Sequence, residues 1–438
     1  MSEYNRPVNE QEFEQNFAQI KPLMNNTEAY YESSRCLFCY NAPCVEACPT
    51  HIDIPLFIRQ INTNNIKGAA RTIYDSNYFG NACGKVCPTE VLCEGACVYN
   101  LQDVKPIEIG RLQNYATTSA IRNDIKFYSA GKSNGKKVAI ICSDPAGIAC
   151  ACELRKEGVH VDIYEARSNA TGLTVNGIAP YKITNDEVLE ELAYLQSQFG
   201  FNILYNSKIE TADDIEKLEK NYDAIFLGVG NGETSKLNIP GEDKTNVHGA
   251  VELIEVLRKE HYNTAFGNKV IVLGGGNTAM DAASESARMG AASVKLIYRR
   301  SKEEMGAYHF EYELAKEVGV KGIFNAAPLE IMGNGSANAV KFIKTKTKNG
   351  KVVTIPGTEF VEECDMVILA TGQKNHDYLF DKISNLEMVK NKVKTNNYQT
   401  SNPKYFAGGD CMNGGAEVVN AAYEGKFAGK AILSYLEK

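Results

Sequence analysis

A chain of 438 residues, 44% hydrophobic and 23% charged, is too long for one ordinary domain and has the balance of a globular protein with two or three packed units. A net charge of −7 argues against nucleic acid as a partner, because phosphate binding needs clustered Lys and Arg, and no run approaches the length of a membrane span. The polar, acidic stretch from Met1 to Lys21 lacks the apolar run of an export signal, so the expected setting is the reducing cytoplasm.

The first expected unit, residues 1–130, is helical between cysteine-bearing turns, with 53–62 and 66–75 mixing apolar and polar faces. Eight of the thirteen cysteines fall within it, as Cys36-x2-Cys39-x4-Cys44-x3-Cys48-Pro49 and Cys83-x3-Cys87-Pro88-x4-Cys93-x3-Cys97. Thiolates spaced this closely on short turns can converge on an iron-sulfur core, and a terminal Cys-Pro in such a run reaches over to a second one. Two clusters are therefore expected. A disulfide framework belongs to short secreted chains. Structural zinc is the stronger alternative, but zinc knuckles pair two C-x2-C spacings and only one occurs here.

Residues 129–135, Ser-Ala-Gly-Lys-Ser-Asn-Gly, read as a linker. Beyond it strands and helices alternate, the mark of parallel sheets covered by helices. A strand over 137–141 leads through Cys142-Ser143-Asp144-Pro145-Ala146-Gly147 into a helix ending near Lys156, and a second strand over 159–164 ends at Glu165. Of a dinucleotide-binding G-x-G-x-x-G turn only Gly147 survives. Cys142 is tolerable there if its backbone angles are ordinary. Asp144 would set a carboxylate beside the pyrophosphate, where like charges about 4 Å apart at an effective dielectric near 20 repel by roughly 4 kcal/mol, several hundredfold in affinity. Glu165 is placed to bind the adenosine ribose.

The second such unit is better preserved. A strand over 269–273 turns through Gly274-x-Gly276-x-x-Ala279 into a helix ending near Met289 and returns as a strand over 293–298. Gly274 allows the tight turn, Gly276 lets backbone approach the pyrophosphate, and Ala279 lets helix and strand pack. Phosphates then rest on the helix N-terminus, at Asn277 and Thr278. Arg299 and Arg300 follow the second strand, where an acid would hold a ribose hydroxyl, and they favour the 2′-phosphate of NADPH over NADH. A solvated arginine edge is the plainer alternative. Near the C-terminus, 405–410 reads as a strand closing on Gly409-Asp410, and a helix from about Glu417 aims its N-terminal amides at the site above.

These residues resemble a known family. From Arg35 onward the chain is similar to the small, electron-input flavoprotein subunits of bacterial two-subunit dihydropyrimidine dehydrogenase, within the wider family of the glutamate synthase small subunit. The cysteine blocks carry the resemblance, with Gly172-Leu173-x3-Gly177-Ile178-Ala179-Pro180-Tyr181-Lys182, Gly274-Gly275-Gly276-Asn277-Thr278-Ala279-Met280-Asp281, Tyr298-Arg299-Arg300-Ser301, Ala370-Thr371-Gly372 and Gly408-Gly409-Asp410-Cys411-x-Asn413-Gly414-Gly415. It implies an α/β architecture in which an N-terminal helical domain with two 4Fe-4S clusters precedes two Rossmann-like domains, the second inserted into the first. The corresponding ranges are 1–130 for the clusters, 131–245 and 370–438 for FAD, and 246–369 for NAD(P)H. The resemblance also implies Cys36, Cys39, Cys44 and Cys97 for one cluster and Cys48, Cys87, Cys93 and Gln113 for the other. Spacing alone would take Cys83 in place of Gln113. FAD is implied at Gly147, Glu165, Gly172, Gly409 and Asp410, yet the family pattern has glycines where this chain has Cys142, Asp144 and Thr171.

The function implied is passage of electrons from NAD(P)H through FAD and the clusters to a partner catalytic subunit, such as a pyrimidine reductase or a glutamate synthase large-subunit-like protein. Nicotinamide gives hydride, a cluster takes one electron at a time and a flavin does both, so no catalytic acid, base or nucleophile is expected. Two other readings stay open: a self-standing NADPH oxidoreductase, and a flavin-less iron-sulfur scaffold motivated by Cys142 and Asp144. Cys142, Cys150, Cys152, Cys364 and Cys411 read as buried, inert thiols.

Overall fold

Capping and apolar spacing set the helices of the amino-terminal segment. In the computed structural model, which describes residues 3–437, Asn25 and Glu28 close a capping box on the helix Asn26–Ser34. Asp53 accepts the Leu56 amide at 3.1 Å to start Ile54–Asn62, whose Ile54, Phe57, Ile58 and Ile61 lie on one face and are all buried. They join Ala69 and Ile73 of Ile66–Ser76 and Leu112 and Ala116 of Ile109–Arg122 in a single core. Each large apolar side chain buried there contributes about 1.5–3 kcal/mol. Cys36, Cys44, Cys93 and Cys97 pack against that core, so folding of the helices brings the two cysteine blocks together.

Short apolar strands build two sheets. The first runs in the order Thr395–Asn396, Gln399–Thr400, Tyr405–Ala407, Ala224–Leu227, Lys137–Ile141, His160–Tyr164 and Asn202–Leu204. It is parallel from Tyr405–Ala407 onward, with an antiparallel hairpin at its edge. Val138, Ala139 and Ile140 are fully buried, as expected of a strand covered on both faces. The second sheet orders Val247–Gly249, Met366–Ala370, Lys269–Gly274, Ser293–Tyr298 and Lys321–Phe324, all parallel. Beside it Ala326–Met332, Ala339–Lys348, Lys351–Thr354 and Phe360–Glu363 form an antiparallel meander.

The chain divides into two units. One contains residues 20–175, 182–231 and 375–438, and so holds the cysteine-bearing helices and the seven-stranded sheet. The other contains residues up to Gln19, 176–181 and 232–374, with the five-stranded sheet. The architecture is α/β, a helical segment before two Rossmann-like folds, the second interrupting the first in sequence. Residues up to Gln19 group with the five-stranded unit, where Phe13 stacks on His261 at 4.8 Å and on Phe17 at 4.4 Å. Residues 176–181 group there too, and the Tyr181 hydroxyl donates to Asp281 at 2.7 Å. Among the described residues no helix is long and apolar enough to cross a membrane.

Candidate functional site

The cysteine blocks line two cavities. In the first, Cys36, Cys39, Cys44 and Cys97 sit among apolar walls that include Ile54, Ile58 and Ile107. Cys48, Cys87, Cys93 and Gln113 line the second, together with Cys83 and with Val419 from the helix Val418–Leu436. Cys48 thus leaves its own block and crosses to the second cavity, as a terminal Cys-Pro does in cluster proteins. Gln113 Nε2 donates to the Gly80 carbonyl at 2.7 Å, which leaves the side-chain carbonyl oxygen as the atom able to coordinate. Cys83 lies one turn before Cys87 on the helix Gly80–Val86, so both candidates for the eighth position reach the same cavity.

These thiols are poised for metal and not for acid-base work. Burial and the neighbouring Cys36, Cys97 and Cys39 push the Cys44 thiol up to about 12. Burial likewise raises Cys36 and Cys93, while Cys87 is raised first by its hydrogen bond with Cys83. Four thiolates cannot share a dry pocket unless a metal centre offsets their charge, and a coordinating thiol is deprotonated outright. Among the described residues no three His, Cys, Asp or Glu side chains meet closely enough for a single ion. The donors instead surround open space, and they fit two multi-atom clusters.

Two supports of the second cavity carry no motif. Lys21 Nζ donates to the Cys87 carbonyl at 3.1 Å and to Thr89 Oγ1 at 2.7 Å, which brings a cation to the backbone of a cluster cysteine. Glu191, on the helix Asn185–Phe199, accepts the Asn81 amide at 2.6 Å and the Ala82 amide at 2.9 Å, and so caps the helix that bears Cys83 and Cys87. Burial pushes its carboxyl up to about 7. An acid in an amphipathic helix gives no sign in sequence of the distant amides it will meet.

The five-stranded unit offers an open helix end. Gly276 is the N-cap of Asn277–Arg288 with no side-chain cap, and nothing lies within 4 Å of the place its Cβ would take. Its backbone is bare for a pyrophosphate. A Cβ on Gly274 would lie 3.1 Å from that of Ala279, the close approach the small third residue allows. Asn277 Oδ1 accepts the Tyr308 amide at 3.0 Å and so braces the turn, while Thr278 and Arg299 are exposed. Arg300 is half-buried, and its Nε has no hydrogen-bond partner.

The turn of the seven-stranded unit is closed. Cys142 has φ 82° and Thr171 φ 74°, the left-handed region natural to the glycines they replace. The ordinary angles that would make Cys142 tolerable are therefore not found, and each such residue costs about 1–3 kcal/mol. Asp144 is the N-cap of Pro145–Lys156, its Oδ1 accepting the Gly147 amide at 2.6 Å. A Cβ on Gly228 or Gly409 would lie 2.7 or 3.1 Å from its carboxylate oxygens, and one on Gly172 would lie 3.2 Å from its own Cβ. Burial holds this carboxyl well above the usual range, against the pull of the Gly147 and Ala146 amides and with the push of Asp410 and Glu165.

The neighbouring donors are also occupied. Glu165 Oε2 accepts the Ser143 amide at 3.0 Å and its hydroxyl at 2.5 Å, and Oε1 accepts the Arg167 amide at 2.8 Å. The Gly409 amide donates to Glu424 at 2.7 Å, and Asp410 Oδ1 accepts the Ala416 amide at 3.0 Å. Glu417 and Asn420 close a capping box on Val418–Leu436, so that helix lacks the open end expected of it. The backbone here fits a dinucleotide, whereas the side chain at 144 stands in the seat of the phosphates. FAD fits this turn only with Asp144 turned out. Cys150, Cys152, Cys364 and Cys411 are buried, as expected of inert thiols, whereas Cys142 is only half-buried, contrary to that expectation.

Known proteins resemble this chain in sequence and in fold. Residues 13–125 match the family described as dihydropyrimidine dehydrogenase domain II, 4Fe-4S cluster, and residues 136–425 match pyridine nucleotide-disulphide oxidoreductase. The NAD-dependent dihydropyrimidine dehydrogenase subunit PreT of Escherichia coli is 35% identical over 96% of this chain and 97% of its own. The glutamate synthase [NADPH] small chain of Escherichia coli is 32% identical over 96% and 94%. In fold, Mycobacterium tuberculosis FprA in complex with NADPH covers 69% of this chain and 84% of its own at TM-score 0.57 and 16% identity. Thioredoxin reductase of T. acidophilum covers 69% and 100% at TM-score 0.54 and 18% identity. The chain is an electron-transfer oxidoreductase that belongs to the pyridine nucleotide-disulphide oxidoreductase family, with a 4Fe-4S domain of the dihydropyrimidine dehydrogenase type in front of its FAD- and NAD(P)-binding fold.

Proposed function

We propose that this chain passes electrons from NADPH, by way of FAD and two 4Fe-4S clusters, to a separate catalytic protein. Cys36, Cys39, Cys44 and Cys97 hold one, and Cys48, Cys87, Cys93 and Gln113 hold the other. The observation that carries this reading is the pair of cavities, each lined by a set of donors drawn from both halves of the cysteine-bearing segment. Gln113 supplies a neutral oxygen where a thiolate would add negative charge, and Lys21 brings a cation close by; both favour the reduced state of the second cluster. The bare Gly276 turn receives the nucleotide pyrophosphate, and Arg299 with Arg300 receives the 2′-phosphate. When bound, the clusters carry single electrons and the family's flavin converts between those and a hydride.

The relatives are named as a subunit and as a small chain, which supports a catalytic partner of the pyrimidine reductase or glutamate synthase large-subunit kind. Unmodified cluster cysteines fit a reducing cytoplasm. Iron, sulfide and co-purifying polypeptides measured on anaerobically prepared protein test the reading. Two clusters' worth of iron and sulfide is expected, halved by Gln113→Ala and unchanged by Cys83→Ser. The opposite pattern moves the eighth ligand to Cys83, and an iron-free or zinc-bearing protein overturns the proposal.

A further inference from the structure

The fold supplies a flavin-type turn, yet the amides of Gly147 and Gly409 and the carboxylate of Glu165, expected to meet the dinucleotide, are already engaged by the protein itself. We propose that Asp144 is a built-in occupant of the phosphate seat, so that its carboxyl group and the FAD pyrophosphate compete for one place and the chain takes up FAD only when Asp144 turns out of it. This deepens the reading above, and rests on it only in taking the seven-stranded unit as the flavin domain.

The argument begins with the helix end. A twelve-residue helix, Pro145–Lys156, carries partial positive charge and unsatisfied amides at its start, which is what makes such turns bind phosphate. In this chain the Gly147 amide is taken at 2.6 Å by Asp144 Oδ1. The same oxygen lies 2.7 Å from the Cβ position of Gly228, and Oδ2 lies 3.1 Å from that of Gly409. Glycines from separate segments thus leave a seat free of side chains, and one carboxylate sits in it. The Asp144 carboxyl accepts the amide hydrogen bond that a phosphate would take, so the seat is filled by a side chain that cannot diffuse away.

The surroundings reinforce the closure. Glu424 takes the Gly409 amide, and Glu165 takes the Ser143 amide and hydroxyl. A phosphate entering would find these donors already taken. The left-handed Cys142 and Thr171 add a further sign that this backbone is kept in the phosphate-binding shape while its ligand's place is taken.

The test is FAD binding by the whole chain, followed by flavin fluorescence and absorbance in wild type, Asp144→Gly and Asp144→Asn. Wild type is expected to purify without stoichiometric flavin. Asp144→Gly should bind FAD at least about a hundredfold more tightly, and Asp144→Asn, which keeps the volume but offers a phosphate an amide donor, should recover only part of that gain. Iron content and NADPH binding, measured on the same samples, should match in all three. Stoichiometric FAD in wild type, with Asp144→Gly changing its dissociation constant by less than about threefold, overturns the proposal. Should the glycine variant fail to fold, unchanged affinity in Asp144→Asn relative to wild type does the same. Loss of iron from every sample would count instead against the cluster assignment.

Discussion

Two strand-turn-helix units of one chain meet the same problem, the exposed amides at the start of a helix, and solve it differently. At Asn277–Arg288 the N-cap is Gly276, extended at φ −101°, and no side chain intervenes. At Pro145–Lys156 the N-cap is Asp144, extended at φ −68°, and its side chain answers the amides. The backbone shapes agree, so the difference lies in one side chain. A Rossmann-like fold by itself does not bind a dinucleotide: the helix end must be left unsatisfied for a ligand to complete it.

The largest expected effect comes from making the open unit like the closed one. Gly276→Asp should weaken NADPH binding by roughly 4 kcal/mol, several hundredfold, in a fluorescence titration. A variant that binds normally would show that an N-cap carboxylate does not exclude a dinucleotide, and would remove the basis of the comparison. Next, Arg299→Ala with Arg300→Ala should cost NADPH about 2 kcal/mol, some thirtyfold, while leaving NADH nearly unchanged. Equal losses for both nucleotides would mean that the arginines do not read the 2′-phosphate.

A smaller effect concerns pH. Burial lifts the carboxyls of Asp144, Asp410 and Glu424 above their ordinary range. Between the unfolded value, near 4, and the raised folded value the native state holds more protons than the unfolded one, so stability falls as pH rises through that window. Asp144→Asn should reduce this slope by up to about 1.4 kcal/mol per pH unit in urea unfolding, and an unaltered slope would place the titration elsewhere. Smallest is the strain. Cys142→Gly should stabilise the seven-stranded unit by about 1 kcal/mol, whereas Cys142→Ala should not, because only glycine is at ease at φ 82°.

Much of the site could be read before any coordinates. The cysteine spacing, the Gly274-x-Gly276 turn and the misfit of Asp144 are local patterns, and local patterns survive folding. What could not be read depended on partners far away in the chain. Gly228 carries no motif, yet it walls the seat that Asp144 occupies; Lys21 and Glu191 hold the backbone beside the second cavity from outside the cysteine blocks. Phe13 looks like part of the helical segment until His261 supplies its neighbour. The angle of Cys142 is likewise hidden, since a cysteine in the sequence does not announce a glycine's conformation.

Ile54 borders both cysteine-lined cavities and is itself buried. A single hydrocarbon branch is therefore common to both walls, in surroundings where water screens poorly and one charge feels another strongly. With a cluster in each cavity, an electron held on one side is expected to make the next harder to add on the other, and the spacing of the two waves in a redox titration measures that coupling.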